Sequence, residues 1–124
     1  MPERELVMKI VAVPSAVNME GDIFGGWIVS QMDLATYLHA RKLTNARLVT
    51  KAIEKLVFHK PVYVGDLVMC YTSTERLGTT SITVHIELIV ERLKGGATEL
   101  VTEGSFIFVA IGPDRTAIPW KTAV

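Results

Sequence analysis

Apolar and polar positions change their spacing along this chain, and each change marks a new element. Residues 6–13 form a short apolar run stopped by Pro14, the pattern of a first strand. Residues 14–22 carry Ser15, Asn18 and Gly21 and read as a loop. From Phe24 to about Leu43 there is no proline, and Ala, Leu, Met and Gln are frequent. That stretch predicts one helix of about 17–20 residues, roughly 25–30 Å long. Beyond Thr44 and Asn45 the chain is strand-like: residues 47–58, closed by His59, Lys60 and Pro61, then 67–76, 81–93 and 99–111. Alternation is clearest in 81–93, where Ile82, Val84, Ile86, Leu88 and Val90 point one way and Thr83, His85, Glu87 and Glu91 the other. Gly78-Thr79-Thr80 and Gly95-Gly96 supply turns. One strand, a long helix and four strands joined by short turns predict an α+β fold. Its sheet is curled and antiparallel, of about five to six strands, with one central helix on the concave face.

The helix pattern is unusual. Between Asp22 and Arg41 the one formally charged side chain is Asp33, and His39 is the other titratable group. At 100° per residue, Phe24, Ile28, Gln31, Ala35 and Leu38 define one face, while Asp33 lies nearly opposite among Gly26, Val29, Tyr37 and Ala40. A helix apolar nearly all round is covered on both sides. The sheet covers one; a second copy of the chain is the simplest cover for the other. Taken alone, Asp33 is then either a solvated acid on a short exposed patch, or a base or nucleophile in a site between subunits.

Two glycines, Gly25 and Gly26, open the helix, where each costs roughly 1 kcal/mol against alanine. They permit close packing of helix on sheet, or they expose backbone amides that can hold a developing oxyanion. Asp22 stands where an N-cap is expected. Lys51, Lys55, His59 and Lys60 form a basic cluster that is either a solvated face or a phosphate contact.

The totals narrow the function. The chain has 124 residues, which fits a single domain over 1–124. Its 13 basic and 13 acidic side chains cancel, which argues against a nucleic-acid partner. Asp33 in mid-segment argues against membrane insertion. The single cysteine, Cys70, forbids an intrachain disulfide and reads as a strand residue, and the charged N-terminus lacks a signal-peptide pattern, so the cytoplasm is the expected location. The chain carries no Gly-x-Ser-x-Gly elbow, phosphate-binding loop, dinucleotide fingerprint or zinc-protease motif. His39, His59 and His85 lack metal-ligand spacing, so they read as structural or solvated and no metal is expected.

The run from Gly21 to Asp33, with its Gly-Asp-Ile-Phe-Gly-Gly-Trp core and its closing Ser-Gln-Met-Asp, closely resembles the YciA-type acyl-CoA thioesterases. The likeness continues through Val49-Thr50, Phe58 to Asp66, Phe106 to Ala110 and Ile118-Pro119. It implies a hotdog fold, a homodimer as minimal active unit, commonly a trimer of dimers, and hydrolysis of acyl-CoA with no cofactor beyond the CoA of the substrate. It also implies catalytic roles for Asp33 and for Asp22 of the opposite subunit, with Gly25 and Gly26 polarising the thioester carbonyl. Relatives carry Arg after the final Ile-Pro, where this chain has Trp120 and then Lys121, and an apolar residue where Lys51 stands. Lys51, Lys55, Lys60 and Phe58 are therefore weak candidates for substrate binding, with Met32 and Tyr37 beside Phe58 as candidates for setting acyl length. A non-catalytic acyl-CoA sensor on the same fold is the alternative. Dehydratase chemistry needs a histidine at the helix start, and none stands there.

Overall fold

The computed structural model describes residues 3–121. Five strands make one antiparallel sheet: β1 (Glu5–Val11), β2 (Arg47–Phe58), β3 (Leu67–Leu77), β4 (Ser81–Glu91) and β5 (Thr98–Ile111), in the order β1-β3-β4-β5-β2. The long helix, α1 (Gly25–Ala40), runs between β1 and β2 and ends in a single 3-10 turn, Arg41–Leu43. The sheet is open, with β1 and β2 at its edges. No helix among the described residues is long and apolar enough to cross a membrane.

Alternation builds the core as expected. Ile82, Val84, Ile86, Leu88 and Val90 of β4 are all fully buried, beside Val68 and Cys70 of β3 and Phe106, Phe108 and Ala110 of β5. Ile28, Met32, Ala35 and Ala40 of α1 are buried with them. His39 fastens the far end of the helix, its Nδ1 2.9 Å from Thr72 Oγ1 and its Nε2 2.8 Å from Thr74 Oγ1 on β3. Trp120 is held as well: it donates its indole N–H to the Gly78 carbonyl at 2.7 Å, and its own carbonyl accepts from Thr44 Oγ1 at 2.6 Å.

Two local expectations are corrected. Phe24 is not on the buried face: its backbone is extended, it occupies the cap position before α1, and its ring is exposed. Asp22 is not the N-cap, since no side chain caps this helix. It lies two residues too early, because Ile23 is held in an isolated bridge with Val17. The strand expected over 47–58 forms as β2, with two irregularities. Its pairing with β5 shifts between Thr50 and Ala52 and again between Glu54 and Val57, and Lys55 takes a left-handed φ of 54°. Gly104 on β5 makes the second bulge possible, since a Cβ there would stand 3.3 Å from Leu56 Cδ1 and 3.4 Å from Leu56 Cα.

Two expectations follow. Phe106→Ala opens a cavity under α1 and destabilises the fold by about 3–5 kcal/mol in urea unfolding at fixed protein concentration. Burial of the His39 ring, aided by Lys42 and opposed by Glu5, holds its pKa below the usual histidine value. The folded chain therefore resists protonation at this ring, and stability present above about pH 6.5 is lost as pH falls toward the folded value. His39→Gln flattens that loss between about pH 7.5 and about pH 5.5.

Candidate active site

The loop before α1 is built around Asn18, whose Oδ1 accepts the backbone N–H of Glu20 at 2.9 Å and of Asp22 at 3.0 Å. Gly21 turns the chain at φ 87°, and the Ile23 amide is tied to the Val62 carbonyl at 2.9 Å. These contacts set the start of α1 against the segment that follows β2. Together they enclose a cavity of about 300 Å³ lined by Asn18, Asp22, Gly25, Phe58, Lys60 and Val62, among others. Four predicted residues, Asp22, Gly25, Phe58 and Lys60, thus meet in one place. Phe58 lies over Gly25, 3.7 Å from where a Cβ would stand. Gly26 is needed for another reason: a Cβ there would come within 3.0 Å of the Phe24 ring.

Neither Gly25 nor Gly26 donates its backbone N–H to any acceptor among the described residues. Open amides at a helix start can hold an anion or a developing oxyanion.

Asp33 does not join this cavity within one chain. It lies seven residues past Gly26, ~10 Å along the helix axis and nearly on the same face. It is half-buried, and its Oδ1 accepts a hydrogen bond from Thr50 Oγ1 at 2.7 Å. Its other carboxylate oxygen has no partner among the described residues. Thr50 entered the sequence reading only within the family likeness at Val49-Thr50, with no role given to it. Around Asp33 the outer side of α1 is uncovered, with Phe24, Leu34 and Tyr37 exposed, and the neighbouring β2 edge adds Ile53, Val57 and Phe58. A lone chain rarely presents such a surface, and an exposed apolar strand edge rarely stays free.

The basic cluster divides. Lys60 pairs with Glu99 at 2.7 Å, and His59 lies 2.8 Å from Glu103. Lys55 is turned to the other face of the sheet, 3.9 Å from Glu75. Lys51 is exposed at the first bulge, with no ion pair among the described residues. Met32 is fully buried in the core, whereas Tyr37 is on the open face with Arg41 over its ring at 5.8 Å.

A single long helix held in a curled antiparallel sheet, opened by paired glycines and carrying one acid two turns on, is the architecture of the hotdog thioesterases. The comparisons agree. The model of the thioesterase superfamily matches residues 20–97. The acyl-CoA thioester hydrolase YciA of Salmonella typhimurium is 42% identical, over 95% of this chain and 91% of that protein. A hexameric hotdog-fold thioesterase of Campylobacter jejuni superposes with a TM-score of 0.85 at 41% identity, covering 94% of this chain and 90% of its own. A hexameric thioesterase of Yersinia pestis gives 0.88 at 37% identity, covering 96% and 97%. The chain belongs to the YciA-type acyl-CoA thioester hydrolases of the thioesterase superfamily.

Cys70 stands apart from this site. It is fully buried, and desolvation pushes its thiol pKa up to about 12. It should therefore resist iodoacetamide in the native protein at about pH 8 and react fully after unfolding, as read by mass spectrometry.

Proposed function

We propose that this chain, acting as one hotdog domain, hydrolyses the thioester of acyl-CoA to a free acid and CoA. The observation that carries the reading is Asp33, a carboxylate on an uncovered apolar helix face with one oxygen held by Thr50 and the other free. It lies on the same face as the open amides of Gly25 and Gly26, yet ~10 Å from them. One carbonyl cannot touch both within a single chain. A second copy, packed helix to helix in the opposite sense, would place Gly25, Gly26 and Asp22 of one subunit near Asp33 of the other. This favours a homodimer as the minimal active unit, and the hexameric relatives favour a trimer of dimers.

In this arrangement Asp33 takes a proton from water through its free oxygen, while Thr50 fixes the direction of the carboxylate. The water oxygen attacks the thioester carbon, and the negative charge that develops on the carbonyl oxygen is held by the glycine amides. The C–S bond then breaks, and the CoA thiolate leaves and is protonated. Asp22 borders the cavity and would orient the water or the carbonyl. Phe58 covers Gly25 and would contact the first carbons of the acyl group, and Lys60 stands on the rim of the same cavity. Hydrolysis on these terms uses no metal and no bound cofactor.

The test follows thiol release from acetyl- to palmitoyl-CoA, with Asp33→Asn and Thr50→Val checked for unchanged oligomeric mass. Turnover by the native chain, a loss of roughly 10²-fold or more in Asp33→Asn and a smaller loss in kcat for Thr50→Val are expected. Tight acyl-CoA binding without thiol release would overturn the hydrolase reading and leave a sensor of acyl-CoA in its place.

A further inference from the structure

The face of the sheet turned away from α1 carries a second built site. Ser73 of β3, His85 of β4 and Ser105 of β5 stand side by side in the sheet register. They floor a cavity of about 350 Å³ whose walls are Lys55, Glu75 and Glu103. Ser105 is 99% buried and donates its hydroxyl to Glu75 Oε1 at 2.6 Å. Ser73 is 97% buried and lines the same cavity, yet its hydroxyl has no partner among the described residues. The Ser73 hydroxyl therefore opens into the cavity, where a group supplied from outside can donate to it.

The free acceptors define that group. Glu103 Oε2 is 2.8 Å from His59, which leaves Oε1 turned toward His85 at 3.9 Å, too far for a hydrogen bond. His85 Nδ1 stands equally far, 3.9 Å, from Glu75 Oε1. Glu75 Oε2 faces Lys55 Nζ at 3.9 Å, and the Lys55 side chain is 75% exposed rather than seated in the cavity. Three acceptors on the residues lining this one cavity thus have no donor within hydrogen-bond distance among the described residues: the Ser73 hydroxyl, Glu103 Oε1 and Glu75 Oε2. A cation with several N–H donors, an ammonium or guanidinium, satisfies all three at once. A metal ion does not fit, because no three His, Cys, Asp or Glu side chains among the described residues are grouped to ligate one. A catalytic serine does not fit either, because Ser105 donates to a carboxylate rather than to an imidazole.

We propose that this cavity is a socket for a basic side chain of a second copy of this chain, and that it joins dimers into the larger assembly. The step rests on the oligomeric reading above. A closed hexamer built from two-fold dimers needs at least two different contact surfaces. The open side of α1 and the edge of β2 supply the first. The outer face supplies a second, on the opposite side of the sheet, with an acidic pocket for a basic partner.

Light scattering tests this on the intact protein, comparing the native chain with Glu75→Gln/Glu103→Gln, whose amides keep the shape and the Ser105 contact. The native chain is expected as a hexamer and the double variant as a dimer, an about threefold loss of mass, with circular dichroism unchanged and thioester turnover per chain retained. Ser73→Ala, which removes a single acceptor and no charge, should shift assembly to higher protein concentration. A double variant that keeps the native mass at every concentration overturns the socket, as does a native chain no larger than a dimer. Mass is read independently of turnover, so a chain that assembles as described but releases no thiol would fault the hydrolase reading alone.

Discussion

The structure depends on a helix that needs cover on two sides. The inner side of α1 has it: Ile28, Met32, Ala35 and Ala40 are sealed against the sheet. The outer side carries Gly26, Ser30, Asp33 and Tyr37, flanked by exposed Phe24 and Leu34. A surface of this kind favours association, yet a carboxylate at its centre makes full desolvation costly. Thr50 eases the conflict by giving Asp33 a hydrogen bond that survives burial. An acid so placed stands at an apolar seam, next to whatever polar substrate enters there.

On the proposed reading, that seam accounts for a chemistry divided along the helix. An oxyanion site needs free backbone amides, which a helix offers only at its first turn. A base fixed by a neighbouring strand can stand only where that strand passes, and β2 passes two turns later at Thr50. Within one chain the glycine amides and Asp33 stay ~10 Å apart because 1.5 Å per residue is a fixed rise. Antiparallel pairing of two such helices would close the gap without changing either one. On the proposed reading, dimerisation is a condition of the chemistry and not only a way to cover apolar surface.

Much of this was legible in the sequence, and the gaps have physical causes. The order of elements, the long helix, the lone acid and the inward set of β4 followed from periodicity, because buried alternation leaves a strong trace. Phe24 was misplaced because an aromatic residue at the edge of an apolar run looks like core, whereas its extended backbone and its contact with Gly26 are tertiary facts. Asp22 is a residue type that suits a cap, but the bridge between Val17 and Ile23 moves the helix start beyond its reach. The pairing of Thr50 with Asp33 joins residues 17 apart in sequence, and no local pattern announces it. The two bulges of β2 were hidden as well, since they depend on the absence of a side chain at Gly104 on the partner strand.

Those irregularities also decide what the outer face can do. In a regular sheet, the alternation that buries Val84 and Ile86 obliges His85 to face outward, level with Ser73 and Ser105. Short side chains alone would leave a shallow polar strip. Here the register of β3 slips between Thr74 and Arg76, so Glu75 is the extra residue, and Lys55 sits within the second bulge of β2. A bulge re-aims the side chain it carries, and both of these lean over the same strip and turn it into a cavity. Holding Lys55 at a left-handed φ costs on the order of 1 kcal/mol, and its contact with Glu75 at 3.9 Å is too exposed to return much. The offset must come from what the bulge permits: Leu56 packed over Gly104 on the inner side, and a walled acidic pocket on the outer one.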